Sequence, residues 1–135
     1  VRVFIDANLL IYLNTISDYR NRLAYEAFYL DLLVNNKAYI DVLVLDELLW
    51  VSWRKYNVPY FVTLDFINKV VKPYVTILPL SEGEFEEAAN LIKEYSIKPS
   101  DAFHIAVMKT HNISTIASED REFDKIGGIK RVWLE

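Results

Sequence analysis

Four acidic residues sit in four well-separated stretches of this sequence: Asp6 in "VFIDANLL", Glu47 in "LDELLW", Asp101 in "PSDAFHIA" and Asp120 in "IASEDREF". Taken singly, each reads as a helix cap or as a partner of a helix dipole. Taken together, they describe a different chemistry. Two carboxylates 4 Å apart at an effective dielectric of 20 repel by about 4 kcal/mol, so four of them gathered in one place require a cation. A set of oxygen donors without His or Cys suits Mg²⁺ or Mn²⁺, which bind through a few carboxylates and keep waters that a phosphate can displace. The chain has no cysteine, which removes disulfides, thiolate zinc sites and cysteine nucleophiles together. Nor does it carry the Asp-rich twelve-residue loop with a central Gly that calcium would ask for.

Whether the acids meet depends on the elements that carry them. "VRVFI" is a near-continuous apolar run of β-rich residues and predicts a strand buried on both faces. Between Leu9 and about Asn35 the residues Leu23, Ala27, Leu30 and Val34 recur at helical spacing, with Ser17 positioned to cap the second of two helices. "AYIDV" predicts strand two. The following helix places Leu45, Leu48, Leu49, Ser52, Trp53 and Tyr56 on one face and Glu47, Trp50, Val51 and Arg54 on the other. "VPYFVTLDFINKVVKPY" continues as a further helix that Pro73 helps to end, and "VTIL" is strand three. "SEGE" at 81–84 is a capping box, followed by Phe85, Ala88, Ala89 and Ile92 as a buried stripe. Ser100 is placed to cap a helix over "DAFHIAVMKTH", then "ISTIA" is strand four, "GG" a turn and "KRVWL" strand five.

Strands alternating with helices predict an α/β fold: a single domain over 1–135, with a mainly parallel sheet of about five strands and helices on both faces. In such a fold each crossover helix starts at the edge where the preceding strand ended. Asp6 and Asp120 leave strands one and four at that edge, Asp101 begins the helix that leads into strand four, and Glu47 lies within about one turn of its helix start. The four acids therefore converge on the edge where α/β sheets bind ligands.

Composition restricts the partners. With 53% hydrophobic and 25% charged residues, three Gly and four Pro, the chain is that of a compact domain with short loops. Its apolar runs are broken by charge well short of a membrane span, and no secretory leader is evident at its start, so a cytoplasmic protein without a membrane partner is expected. Fifteen Lys and Arg against nineteen Asp and Glu give a net charge of −4, so a nucleic acid must be attracted by metal or by local basic patches.

"FIDANLLIY", "LDELLW", "PSDAFHIAVM" and "IASEDREFDKI", in this order and spacing, resemble the four acidic motifs of the PIN-domain ribonucleases across essentially the whole chain. The short length is similar to that of stand-alone VapC-type toxins. The resemblance implies a Mg²⁺- or Mn²⁺-dependent endoribonuclease that hydrolyses RNA to products with 5′-phosphate and 3′-hydroxyl ends, through one ion or two. It implies Asp6, Glu47 and Asp101 as the central metal-site acids, Asp120 as the fourth and Asp124 as a lesser candidate. Ser118, two residues before Asp120, holds the place of a family hydroxyl that bonds a metal-bound water or the phosphate; the bland reading is a turn cap. Asn8 matches a family position near the metal or makes a local turn bond. A VapB-type antitoxin and a homodimer are the implied partners.

Three further groups have two readings each. His104, three residues after Asp101, invites a general-base role, but buried hydrogen bonding in support of the acids is the better reading. Arg54, Arg121 and Lys125 could neutralise phosphates or be solvated surface charges. Trp50, Trp53 and Trp133 read as core or interface residues and not as base-stacking platforms. A haloacid-dehalogenase-like phosphatase would want a second Asp where Asn8 stands, and a receiver domain would want an Asp at the end of "VTIL". The remaining rivals are an RNA-processing PIN nuclease and a PIN-like protein that binds RNA or protein without cleaving.

Overall fold

The computed structural model describes residues 1–134. Five strands, β1 (Arg2–Ile5), β2 (Lys37–Asp41), β3 (Thr76–Leu78), β4 (Thr115–Ala117) and β5 (Lys130–Val132), form one sheet in the order β3-β2-β1-β4-β5, and every pairing is parallel. From β1 the chain first winds outward through β2 and β3, then returns to the other side of β1 for β4 and β5. The order therefore reverses beside β1, which is where a doubly wound sheet opens a crevice at the carboxyl ends of its strands.

Helices α1 (Ala7–Thr15), α2 (Tyr19–Asn35), α3 (Val42–Tyr56), α4 (Tyr60–Phe66), α5 (Glu82–Tyr95) and α6 (Pro99–Thr110) connect the strands, with a π-helical turn (Ile67–Val71) after α4 and a 3₁₀ turn (Arg121–Lys125) before β5. The central strands carry Phe4, Ile5, Ile40 and Ile116, all fully buried, against Leu9, Leu10, Leu48, Ile105 and Met108 from the helices. Among the described residues no helix is long and apolar enough to cross a membrane.

The capping box at Ser81 forms as the sequence predicts: the Ser81 amide donates to Glu84 Oε1 at 3.1 Å, and the Ser81 side chain meets the backbone of Glu84. Two other caps differ. Asp18, not Ser17, caps α2 by accepting from the Arg20 amide, because a carboxylate one residue later reaches the same orphan donor. Ser100 lies inside α6: Lys98 is the N-cap residue and Pro99 the first helical position, where its missing N–H costs nothing. The predicted continuous helix after Val58 is α4 plus the π turn, which Lys72, Pro73 and Tyr74 bring to an end.

Some helix faces also point differently from the sequence pattern. In α2, Tyr29 and Leu32 are the buried residues, while the Leu23, Leu30 and Val34 repeat faces solvent at 47%, 60% and 79% exposure. In α3, Val44, Leu48 and Ser52 face inward and Trp53 and Tyr56 do not. In α5, Ala88 is buried but Phe85 is exposed, resting near Phe103 of α6. Trp133 is partly buried against the core, set against Phe28, Tyr25 and Tyr12, whereas Trp50 and Trp53 are exposed.

Candidate metal centre

The strand register fixes the first residues of the site. Ile5 pairs with Ala117 and Phe4 with Tyr39, so one step beyond the end of β1 Asp6 stands beside Ser118, and on the other side beside Asp41. The Asp6 amide continues the ladder by donating to Ala117 O at 3.0 Å. Its carboxylate, almost fully buried, accepts from the Ala7 amide at 2.8 Å through Oδ1 and from the Ser118 hydroxyl at 2.6 Å through Oδ2. The Ser118 oxygen in turn accepts from the Asp120 amide at 3.0 Å and from Asn8 Nδ2 at 3.3 Å. One donated and two accepted bonds exhaust this hydroxyl, so Ser118 pins the exits of β1 and β4 to each other.

Helix α6 delivers the next two groups. Asp101 lies in its first turn, where the helix dipole favours a carboxylate, and His104 follows three residues later on the same face. His104 is buried against the Phe4 ring, with centroids 5.2 Å apart. Its Nδ1 lies 2.7 Å from Asp41 Oδ2, and its Nε2 lies 3.9 Å from Asp6 Oδ1. Ligand atoms of Asp6, Asp101 and His104 all lie within 4.8 Å of one another.

Asp41 is the residue that sequence reasoning missed. Fully buried, it also caps α3 by accepting from the Val44 amide at 3.1 Å. The signal was present: "FID" and "YID" are both strand ends with a terminal Asp, and parallel pairing of β1 and β2 sets those two residues level.

Electrostatics follow from burial. Desolvation pushes the Asp6 carboxyl above its ordinary range, against the lowering influence of His104, Ser118 and the Ala7 amide, and Glu47 adds to the rise. Asp101 is pushed up to about 7, first by burial and then by the charge of Asp6, with His104 offsetting part of it. Burial works against a charge on His104, yet the hydrogen bond and charge of Asp41, followed by Asp6 and Asp101, carry its pKa above the ordinary imidazole value. His104 is thus tied by a 2.7 Å hydrogen bond to Asp41 beneath the acids.

The other predicted acids lie around this centre. Glu47, partly buried on α3, is close enough to Asp6 to influence its charge, and its Oε1 accepts from Lys98 Nζ at 3.1 Å. Asp120 influences Asp101, while its Oδ1 caps the 3₁₀ turn through the Glu122 amide at 2.9 Å. Asp124 is engaged elsewhere: Arg131 holds both its oxygens, at 2.9 and 3.2 Å, and keeps its pKa low. Arg54 is exposed on the last turn of α3, Arg121 is exposed, and Lys125 pairs with Glu122.

The donors present fit a hard divalent cation. Among the described residues Asn8 Oδ1 is buried without a hydrogen-bond partner, although its own amide nitrogen is bound to Ser118. An orphaned carbonyl oxygen on a side chain bonded to Ser118, together with carboxyls whose pKa values are raised first by burial and then by neighbouring acids, is the environment that a cation or its water would relieve.

A family model described as PIN domain matches residues 3–129. Over 57 residues the chain is 40% identical to ribonuclease VapC13 of Mycobacterium tuberculosis, an aligned stretch that is 42% of this chain and 44% of that relative, so the match spans less than half of the relative's length. Among solved structures it superposes on VapC20 of Mycobacterium tuberculosis, described as a sarcin-ricin loop cleaving toxin, with a TM-score of 0.73 at 16% identity, covering 93% of this chain and 95% of that one. It superposes on VapBC2 of Rickettsia felis bound to a promoter DNA fragment with a TM-score of 0.72 at 18% identity over the whole of both chains. At these identities the superpositions establish the shared fold.

Proposed function

Because this chain belongs to the PIN-domain family, we propose that residues 1–135 form a nuclease domain that cleaves RNA with a divalent metal, as the toxin component of a VapBC-type pair acting in the cytoplasm. The observation that supports the reading is that ligand atoms of Asp6, Asp101 and His104 lie within 4.8 Å of one another beside the reversal of strand order, with Glu47 near enough to act on the charge of Asp6 and Asp120 on that of Asp101.

Asp6, Glu47 and Asp101 are the residues that would hold Mg²⁺ or Mn²⁺, with Asp120 acting at the periphery. When bound, such an ion polarises a phosphoryl oxygen and lowers the pKa of an attacking water. The chain supplies position. Ser118 and the Ala7 amide fix the Asp6 carboxylate in one orientation, so little reorganisation accompanies substrate binding. The dipole of α6 favours the ionised form of Asp101, and Asp41 holds His104 in position beneath the acids by a 2.7 Å hydrogen bond. The Asn8 side-chain oxygen can orient a water or a phosphate oxygen, while Ser118, its hydroxyl fully engaged, holds Asp6 in place; Asp124, committed to Arg131, is left outside this group.

A protein partner is the second part of the proposal. Leu30 and Val34 of α2, together with Leu13, Tyr29, Phe66 and Val70, line an apolar groove of about 560 Å³, and the exposed Trp50, Tyr60 and Leu64 lie around a smaller cleft. Apolar surface of this extent supports a homodimer and an antitoxin segment laid on the surface as an amphipathic helix or extended strand.

Purified protein with a panel of structured and single-stranded RNAs provides the test. Cleavage should require Mg²⁺ or Mn²⁺, stop in EDTA, and be lost in Asp6→Asn, Glu47→Gln and Asp101→Asn while each variant stays folded; Asp120→Asn should lose less. Cleavage that persists in EDTA, or in two of the three variants, would overturn the reading, and folded protein that binds RNA without cleaving it would favour a non-catalytic role.

A further inference from the structure

A polyanion must approach a site crowded with carboxylates on a chain whose net charge is −4. The cations near the site are unequally available. Arg131 is taken by Asp124 and by the Ser118 carbonyl oxygen, and Lys125 by Glu122. Lys98 is different: its Nζ lies 3.1 Å from Glu47 Oε1, on an acid of the metal site itself. Burial lowers its pKa, but the hydrogen bond and charge of Glu47, then the charges of Asp101 and Asp6, raise it above the ordinary value, so the ammonium feels three of the acids at once.

Two features make this contact exchangeable. The pair is open to water, with side-chain exposures of 63% for Lys98 and 29% for Glu47, and ion pairs of that kind are weak. The backbone beneath it is rigid, because Lys98 is the N-cap residue of α6, its carbonyl oxygen accepts from the Ala102 amide at 3.1 Å, and Pro99 follows at the first helical position. A four-carbon stem on a fixed base gives the ammonium a short radius of motion over the mouth of the site. A divalent cation held by Glu47 competes with that ammonium for the same oxygen.

Resting on the nuclease reading above, we propose that Lys98 is an exchangeable counter-ion of the metal site: it neutralises Glu47 when that carboxylate carries no metal, and contacts an RNA phosphate when a divalent cation takes Glu47. The same side chain then opposes metal binding and favours RNA binding, a division that a merely structural residue would not produce.

The test compares wild type, Lys98→Met and Lys98→Arg, all full-length. Titration calorimetry with Mn²⁺ in the absence of RNA should show Lys98→Met binding the ion about three- to tenfold more tightly, because one positive charge has left its vicinity. Binding of a fluorescein-labelled single-stranded RNA in Ca²⁺ should weaken several-fold in Lys98→Met, and the slope of log affinity against log salt should fall by about 0.7, the value of one lost phosphate contact. Lys98→Arg should keep the wild-type slope. Metal affinity in Lys98→Met that is unchanged or weaker, or an unchanged salt slope, would overturn the role of Lys98 while leaving a wild type that binds Mn²⁺ and cleaves RNA as a nuclease. A wild type that neither binds Mn²⁺ nor cleaves RNA would overturn both readings.

Discussion

Replacing Asp101 by Asn should stabilise the metal-free protein at alkaline pH while removing its activity. In the folded chain Asp101 is pushed from 3.8 to about 7, by burial and then by the neighbouring Asp6 charge. Between those two values the native state holds a proton that the unfolded chain has already released, so stability falls as pH rises through this window, and the full penalty is present above pH 7. At about 1.4 kcal/mol for each tenfold change in proton affinity, the bound on that penalty is about 4 kcal/mol. Water at the open side of the site screens the charge, and loss of Asp101 also removes an attraction felt by His104, so a net gain of about 1–2 kcal/mol for the variant is expected at pH 8. Urea denaturation in EDTA at pH 4, 6 and 8 measures it: the two proteins should be nearly equal at pH 4 and should diverge as pH rises. Adding Mg²⁺ at a hundredfold excess over its dissociation constant should stabilise wild type by about 2.7 kcal/mol and the variant far less. A variant no more stable than wild type at pH 8, or one that gains equally from Mg²⁺, would refute both the repulsion argument and the place of Asp101 in the centre.

Two further outcomes test the supports of the site. His104→Ala and Asp41→Ala should each cost about 1–3 kcal/mol in urea denaturation, since each leaves the other's buried polar group without its hydrogen-bond partner; a loss under about 0.5 kcal/mol in both would show the pair to be dispensable. Leu30→Asp with Val34→Asp on the exposed face of α2 should leave melting behaviour unchanged but abolish co-purification with a co-expressed antitoxin, and Trp50→Ala should shift the oligomer towards monomer in light scattering. Retention of the antitoxin complex by the double variant would take that groove out of the interface.

Much of this protein is determined locally. Apolar runs with β-branched residues mark β1 to β4, the Ser81–Glu84 pair closes its own helix terminus, and Pro99 starts α6, because each of these depends on neighbours within a few residues. Alternation of strand and helix then places Asp6, Asp101 and Asp120 at one edge without reference to any long-range contact. Three things depended on tertiary structure. The parallel register sets Asp41 level with Asp6, and only α6 lying over both strand ends turns Asp41 and His104 into a buried pair. The rotation of α2 about its axis decides that Tyr29 and Leu32 are covered while the equally periodic Leu23, Leu30 and Val34 are not, since helical spacing specifies that an apolar face exists and not which neighbour buries it. The partners of the charged side chains are settled the same way: Arg131 reaches back to Asp124, and Lys98 to Glu47 across 51 residues of sequence, because the folded sheet and helices bring their stems within reach.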